Sequence, residues 1–151
     1  MGKGLESAKG SAWALWLTTH AVMMEKIELR LAATGLPLLA WYDVLWGLER
    51  AAEGRLRLGE LAEKVVLSRS NLTRLVDRLE QAKLVARERS DEDRRGAYAV
   101  ITAAGRALRK KMWPVYEAAI KEFFEAHLTE AEARSLSAIL RRMLAELRAA
   151  K

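Results

Sequence analysis

Between Leu58 and Gly105 the apolar pattern changes period without a gap, from two short helical stretches to a strand alternation, a polar loop and a second strand. Few folds accept that order. Its centre is Ser68–Gln81, where Leu72, Leu75, Val76 and Leu79 recur at helical spacing and form one stripe. At about 100° per residue, Ser70, Thr73, Arg74, Asp77, Arg78 and Gln81 project away from that stripe. Hydroxyls and guanidinium groups at these intervals can meet phosphate oxygens and base edges together, which points to double-stranded DNA as a partner.

The flanks extend the pattern. A first helix is predicted from a cap at Ser7 or Ser11 to about Ala33, with Trp13, Trp16, Leu17, His20, Met23, Met24, Ile27 and Leu31 on one broad side. Gly35 suits its C-terminal cap, and Pro37 the first turn of a second helix over 37–52 with Leu38, Trp41, Tyr42, Leu45 and Leu48 as its stripe. Arg55-Leu-Arg57 fits a short edge strand, and Leu58–Val65 a brief helix. After Ala82, Val85, Arg87 and Arg89 fall on one side of a strand and Ala86 and Glu88 on the other. The loop 90–96 and the strand 97–101 complete a hairpin with a charged tip. Thr102 can cap a long helix in which Pro114 predicts a kink or break. Thr129-Glu-Ala-Glu132 is a capping box opening the last helix, whose stripe is Leu136, Ile139, Leu140, Met143, Leu144 and Leu147.

The order α-α-(β)-α-α-β-β-α-α makes the chain mainly α with a small β-hairpin wing: a winged helix-turn-helix with additional N- and C-terminal helices. Those outer helices carry more apolar surface than a small winged core can cover, which predicts dimerisation. With 51% apolar and 30% charged residues the chain reads as a soluble globular protein, and its net charge of +6 favours a polyanionic partner. It has no cysteine, so disulfides and thiolate sites are excluded, and two histidines, His20 and His127, leave too few ligands for a metal site. No cofactor is expected. Without a signal core or a run of membrane length, a cytoplasmic location is expected. No glycine-rich phosphate loop or nucleophile elbow suggests an enzyme.

Five segments in sequence, Leu58-Gly-Glu-Leu-Ala62, Leu67-Ser-Arg-Ser-Asn-Leu-Thr-Arg-Leu-Val-Asp-Arg-Leu79, Leu84-Val-Ala-Arg87, Asp91-Glu-Asp-Arg-Arg-Gly96 and Ile101-Thr-Ala-Ala-Gly105, resemble bacterial transcription regulators of the MarR (multiple antibiotic resistance) family in residues, order and spacing. The resemblance covers nearly the whole chain. It implies a homodimeric repressor on a pseudo-palindromic operator, with Ser68, Arg69, Ser70, Asn71, Thr73, Arg74 and Arg78 of the recognition helix facing the major groove. It assigns Asp91, Arg94 and Arg95 to the wing in the minor groove. It divides the chain into an N-terminal dimerisation helix (1–36), a winged region (37–101) and C-terminal dimerisation helices (102–151), with Leu140, Met143, Leu144 and Leu147 at the interface. One departure stands out: Lys83 occupies the place where the family commonly ends its recognition helix with glycine, and a left-handed lysine costs roughly 1 kcal/mol over glycine.

The resemblance also implies a small-molecule pocket between the dimerisation helices and the winged region, where Trp16, His20 and Trp41 would suit a small aromatic or phenolic effector. The competing assignment is that the tryptophans, five in all, and His20 fill helix junctions as core. A second alternative is a helical adaptor whose winged domain binds protein; it would not need both the hydroxyl–arginine face and an arginine-tipped wing. Lys83, Arg87 and Arg89 remain open between phosphate contact and solvated strand.

Overall fold

The computed structural model describes residues 6–65, 69–89 and 96–150, Arg69 for its backbone alone. Its elements are α1 (Ala8–Ala33), α2 (Leu39–Glu49), a 3-10 turn (Ala52–Gly54), β1 (Arg55–Arg57), α3 (Leu58–Lys64), α4 (Arg69–Gln81), β2 (Val85–Arg89), β3 (Ala97–Ile101), α5 (Ala103–Phe123), a second 3-10 turn (Glu125–His127) and α6 (Glu130–Ala149). Two compact units result, one ending at Tyr116 and the other beginning at Glu117.

In the first unit the predicted caps form. The Ser7 hydroxyl accepts the Gly10 N–H at 3.1 Å to start α1, and Gly35 closes the helix at φ 71°. The second helix is shorter than its pattern suggested. Pro37 lies ahead of it rather than in its first turn, Leu38 is its N-cap, and it ends at Glu49. Glu53 and Gly54, both at positive φ, then turn the chain into β1. Leu38 is a correction to the stripe, since it points outward with 57% of its surface exposed. As a cap it offers no side-chain acceptor. The acceptor comes instead from α1, where both carboxylate oxygens of Glu28 lie 3.0 and 3.1 Å from the Leu39 N–H. A carboxylate there meets the unsatisfied amides and positive dipole end of α2.

The core joins α2, α3, α4 and a three-stranded antiparallel sheet of order β1-β3-β2. Val44, Leu45, Leu48, Leu56, Leu61, Leu72, Val76, Leu79, Val85 and Ala99 form one buried cluster. The sheet register sets Leu56 opposite Ala99 and Ala99 opposite Arg87, so one face of the sheet continues the core from β1 to β2.

Helix α5 starts at the expected cap, with the Gly105 N–H on the Thr102 hydroxyl at 3.0 Å. It continues through Pro114 without the break its pattern suggested. The carbonyl deprived of its donor belongs to exposed Lys110, where water can take the donor's place. In the second unit the Thr129 hydroxyl accepts the Glu132 N–H at 3.2 Å and opens α6 as the capping box predicts. Among the described residues no helix is long and apolar enough to cross a membrane.

Candidate nucleic-acid interface

Helix α4 is built with two opposed faces. Leu72, Leu75, Val76 and Leu79 are buried, while Ser70, Asn71, Thr73, Arg74 and Arg78 are exposed. Among the described residues neither Arg74 nor Arg78 takes part in an ion pair, so the helix does not consume these charges itself. Asp77, one turn from Arg74, is engaged by Arg87 instead. Ser68, Asp91, Arg94 and Arg95 lie outside the described residues, as does the side chain of Arg69.

The end of α4 answers the question raised by Lys83. This residue does adopt a left-handed backbone, at φ 61°. Its N–H reaches the Glu80 carbonyl and the Leu84 N–H the Leu79 carbonyl, each at 2.9 Å, which is the Schellman pattern that glycine ordinarily serves. The strained residue is then held from outside. The Thr102 hydroxyl donates to the Lys83 carbonyl at 2.8 Å, and the Thr102 N–H donates to the Leu84 carbonyl at 3.1 Å. One threonine therefore caps α5 and fixes the exit from α4, so the register of β2 is the expected one.

The wing base contains residues that the sequence did not single out as functional. On the solvent face of the sheet, Arg55 stacks over the Tyr98 ring at 4.3 Å, and Arg57 lies 5.5 Å from it while its Nε donates to the Tyr98 hydroxyl at 3.3 Å. Arg55 also pairs with Glu88 at 3.0 Å, tying β1 to β2 across β3. On the opposite face Arg87 pairs with Asp77 of α4 at 2.5 Å. The available signal was the Arg-Leu-Arg alternation at 55–57, which sets two guanidinium groups on one side of an edge strand.

The overall fold recurs in solved proteins. A MarR family model matches residues 34–96. The chain is similar to MhqR of Bacillus subtilis, an HTH-type transcriptional regulator, at 34% identity over 86 residues that make up 57% of this chain and 59% of MhqR. It is 30% identical over 105 residues to SarZ of Staphylococcus aureus, also an HTH-type transcriptional regulator, covering 70% of this chain and 68% of SarZ. The chain belongs to the MarR family. Among solved structures it resembles Sco3205, a MarR family transcriptional regulator from Streptomyces coelicolor in complex with DNA, with a TM-score of 0.87 and 26% identity over 93% of this chain and 92% of that one. The relatives that this MarR-family chain matches are transcription regulators.

The residues expected at an effector pocket are brought together in part. Trp16 and His20 stack on α1 with ring centroids 6.2 Å apart, both exposed. Trp41 packs half-buried against the winged core, and among the described residues no ring contact joins it to either. A different aromatic cluster forms between α2 and the first half of α5. Tyr42 lies 6.5 Å from Trp46, 6.0 Å from Trp113 and 5.1 Å from Tyr116. Arg109 sits 5.0 Å over Trp46 and is paired with Glu49. Burial pushes the Tyr42 phenol above its ordinary value, while the hydrogen bond and charge of Arg109 pull the other way. In the second unit Met143, Leu144 and Leu147 are exposed, and Leu140 is half-buried.

Proposed function

We propose that this MarR-family regulator binds a pseudo-palindromic double-stranded DNA operator as a homodimer and acts as a repressor. The observation that carries this is the division of α4 into a buried leucine–valine stripe and an outward face of Ser70, Asn71, Thr73, Arg74 and Arg78. Arginine can take the two acceptors of a guanine edge and asparagine those of an adenine edge, and the hydroxyls can bind phosphate. In this reading Ser68 and Arg69 also serve the major groove, and Asp91, Arg94 and Arg95 the minor groove, where arginines gain from the negative potential of a narrow groove. The existence of a DNA complex of the similar Sco3205 supports the same partner.

Residues 1–36 and 102–151, which flank the winged region 37–101 in the sequence, act as dimerising segments. Exposed Trp13, Trp16 and Leu17 on α1 support this, as do exposed Met143, Leu144 and Leu147 on α6, the last with 72% of its surface open. Two recognition helices in such a dimer reach half-sites about one helical turn apart, roughly 34 Å. A small aromatic effector, received near Trp16, His20 and Trp41, changes their spacing and releases the operator.

Selection of binding sites from a random duplex pool at physiological salt tests the proposal. A recovered palindrome with half-sites one turn apart is the expected result. Enrichment without a motif refutes sequence-specific recognition and leaves charge-driven association.

A further inference from the structure

Asp77 poses an electrostatic problem. It lies on the outward side of α4, one turn from Thr73 and Arg74, where a bare carboxylate would face the phosphates of bound DNA. Arg87 poses the complementary one. It stands in the core-facing row of the sheet, next to Ala99 and two residues past Val85, the last buried residue of β2. Beyond Val85 the strand is exposed, and among the described residues it pairs with β3 alone, as an edge strand. The two side chains solve both problems by meeting at 2.5 Å.

We propose that the Asp77–Arg87 ion pair is a strut that sets the wing relative to the recognition helix, making Arg87 a positioning residue rather than a phosphate contact. The pair joins the element directed at the major groove to the strand that carries the wing. It also neutralises the one carboxylate that α4 presents next to Arg74. The Arg55–Glu88 pair braces the same strand from the other side of the sheet, so β2 is fixed both to the sheet edge and to α4.

The inference rests on the DNA-binding proposal above, and the sign of one substitution separates the possibilities. Removing a carboxylate from a DNA-facing helix ordinarily strengthens binding to a polyanion. The strut predicts the opposite for Asp77→Asn: affinity for the selected operator falls about three- to fivefold, the upper scale of a partly exposed ion pair. Binding to a random duplex of equal length stays within about twofold at the same salt. Arg87→Ala lowers operator affinity similarly without changing the salt slope, and the double variant is no weaker than the weaker single one. Asp77→Glu, which keeps the charge, recovers most of the affinity. Tighter operator binding by Asp77→Asn overturns the proposal, as does a salt slope reduced by about one in Arg87→Ala, which would make Arg87 a phosphate contact. Additive losses also overturn it. Hydrogen exchange at residues 86–89 in the free protein probes the strut without DNA. Faster exchange in Asp77→Asn with unchanged helicity is expected, and unchanged exchange refutes the strut whatever the operator selection yields.

Discussion

Replacing Gly105 with alanine should destabilise the protein even though it puts a better helix former inside a helix. A Cβ built on Gly105 lies 2.2 Å from the Leu84 carbonyl oxygen, 2.9 Å from Ile101 Cγ1 and 3.2 Å from Leu45 Cδ2. The first distance requires about 1 Å of relief, and the obstacle is backbone held by the Thr102 N–H at 3.1 Å. Overpacking of this kind costs about 1–3 kcal/mol. Displacing the Leu84 carbonyl forfeits roughly 1 kcal/mol of hydrogen bonding. The gain in helix propensity returns about 1 kcal/mol. The balance is a loss of about 1–3 kcal/mol, equivalent to a melting temperature lower by about 2–12 °C for a chain of this size. Thermal unfolding followed by circular dichroism at one fixed protein concentration measures it, since association shifts the apparent midpoint. A melting temperature equal to or above the parent's would mean that α5 does not pass the end of α4 this closely.

Lys83→Gly should stabilise by about 0.5–1 kcal/mol, because the position is left-handed and the Schellman bonds use only backbone; a lower urea midpoint would contradict that account. Thr102→Val should cost about 1–2 kcal/mol through loss of the α5 cap and of the bond to Lys83, seen as a lower urea midpoint with unchanged slope. Arg74→Ala should weaken operator binding by about 1–3 kcal/mol and relax preference at one base position in a repeated selection. Arg94→Ala or Arg95→Ala should lower affinity more evenly across sequences and flatten its salt dependence, and a parental salt slope in both would remove the wing tip from the interface.

The sequence discloses what depends on local chemistry. The Ser7, Thr102 and Thr129 caps, the two faces of α4 and the hairpin alternation each follow from residues a few positions apart, and each is realised. What depends on distant neighbours is hidden. Leu38 fits the α2 stripe by spacing but becomes its outward N-cap, because the helix starts two residues beyond Pro37. Glu28 gives no sign in the sequence that it serves the start of another helix. Arg87 was undecided between phosphate and solvent because its partner Asp77 is chosen by the packing of β2 on α4. Lys83 looked like a departure from the family pattern until Thr102, 19 residues on, proved to hold its carbonyl. The aromatic cluster around Tyr42 escaped notice for the same reason, since Trp113 and Tyr116 reach it only through the docking of α5.

The carboxylate of Glu28 over the Leu39 amide limits how freely the reading head could be exchanged between proteins. The span that matches the family begins at residue 34, between the acceptor on one helix and the donor on the next. A cut there leaves α2 opening on an apolar residue with its first amides uncovered. Grafted onto foreign oligomerising helices, the head would need an acidic side chain at the same height on the new scaffold, and many otherwise compatible scaffolds would lack one.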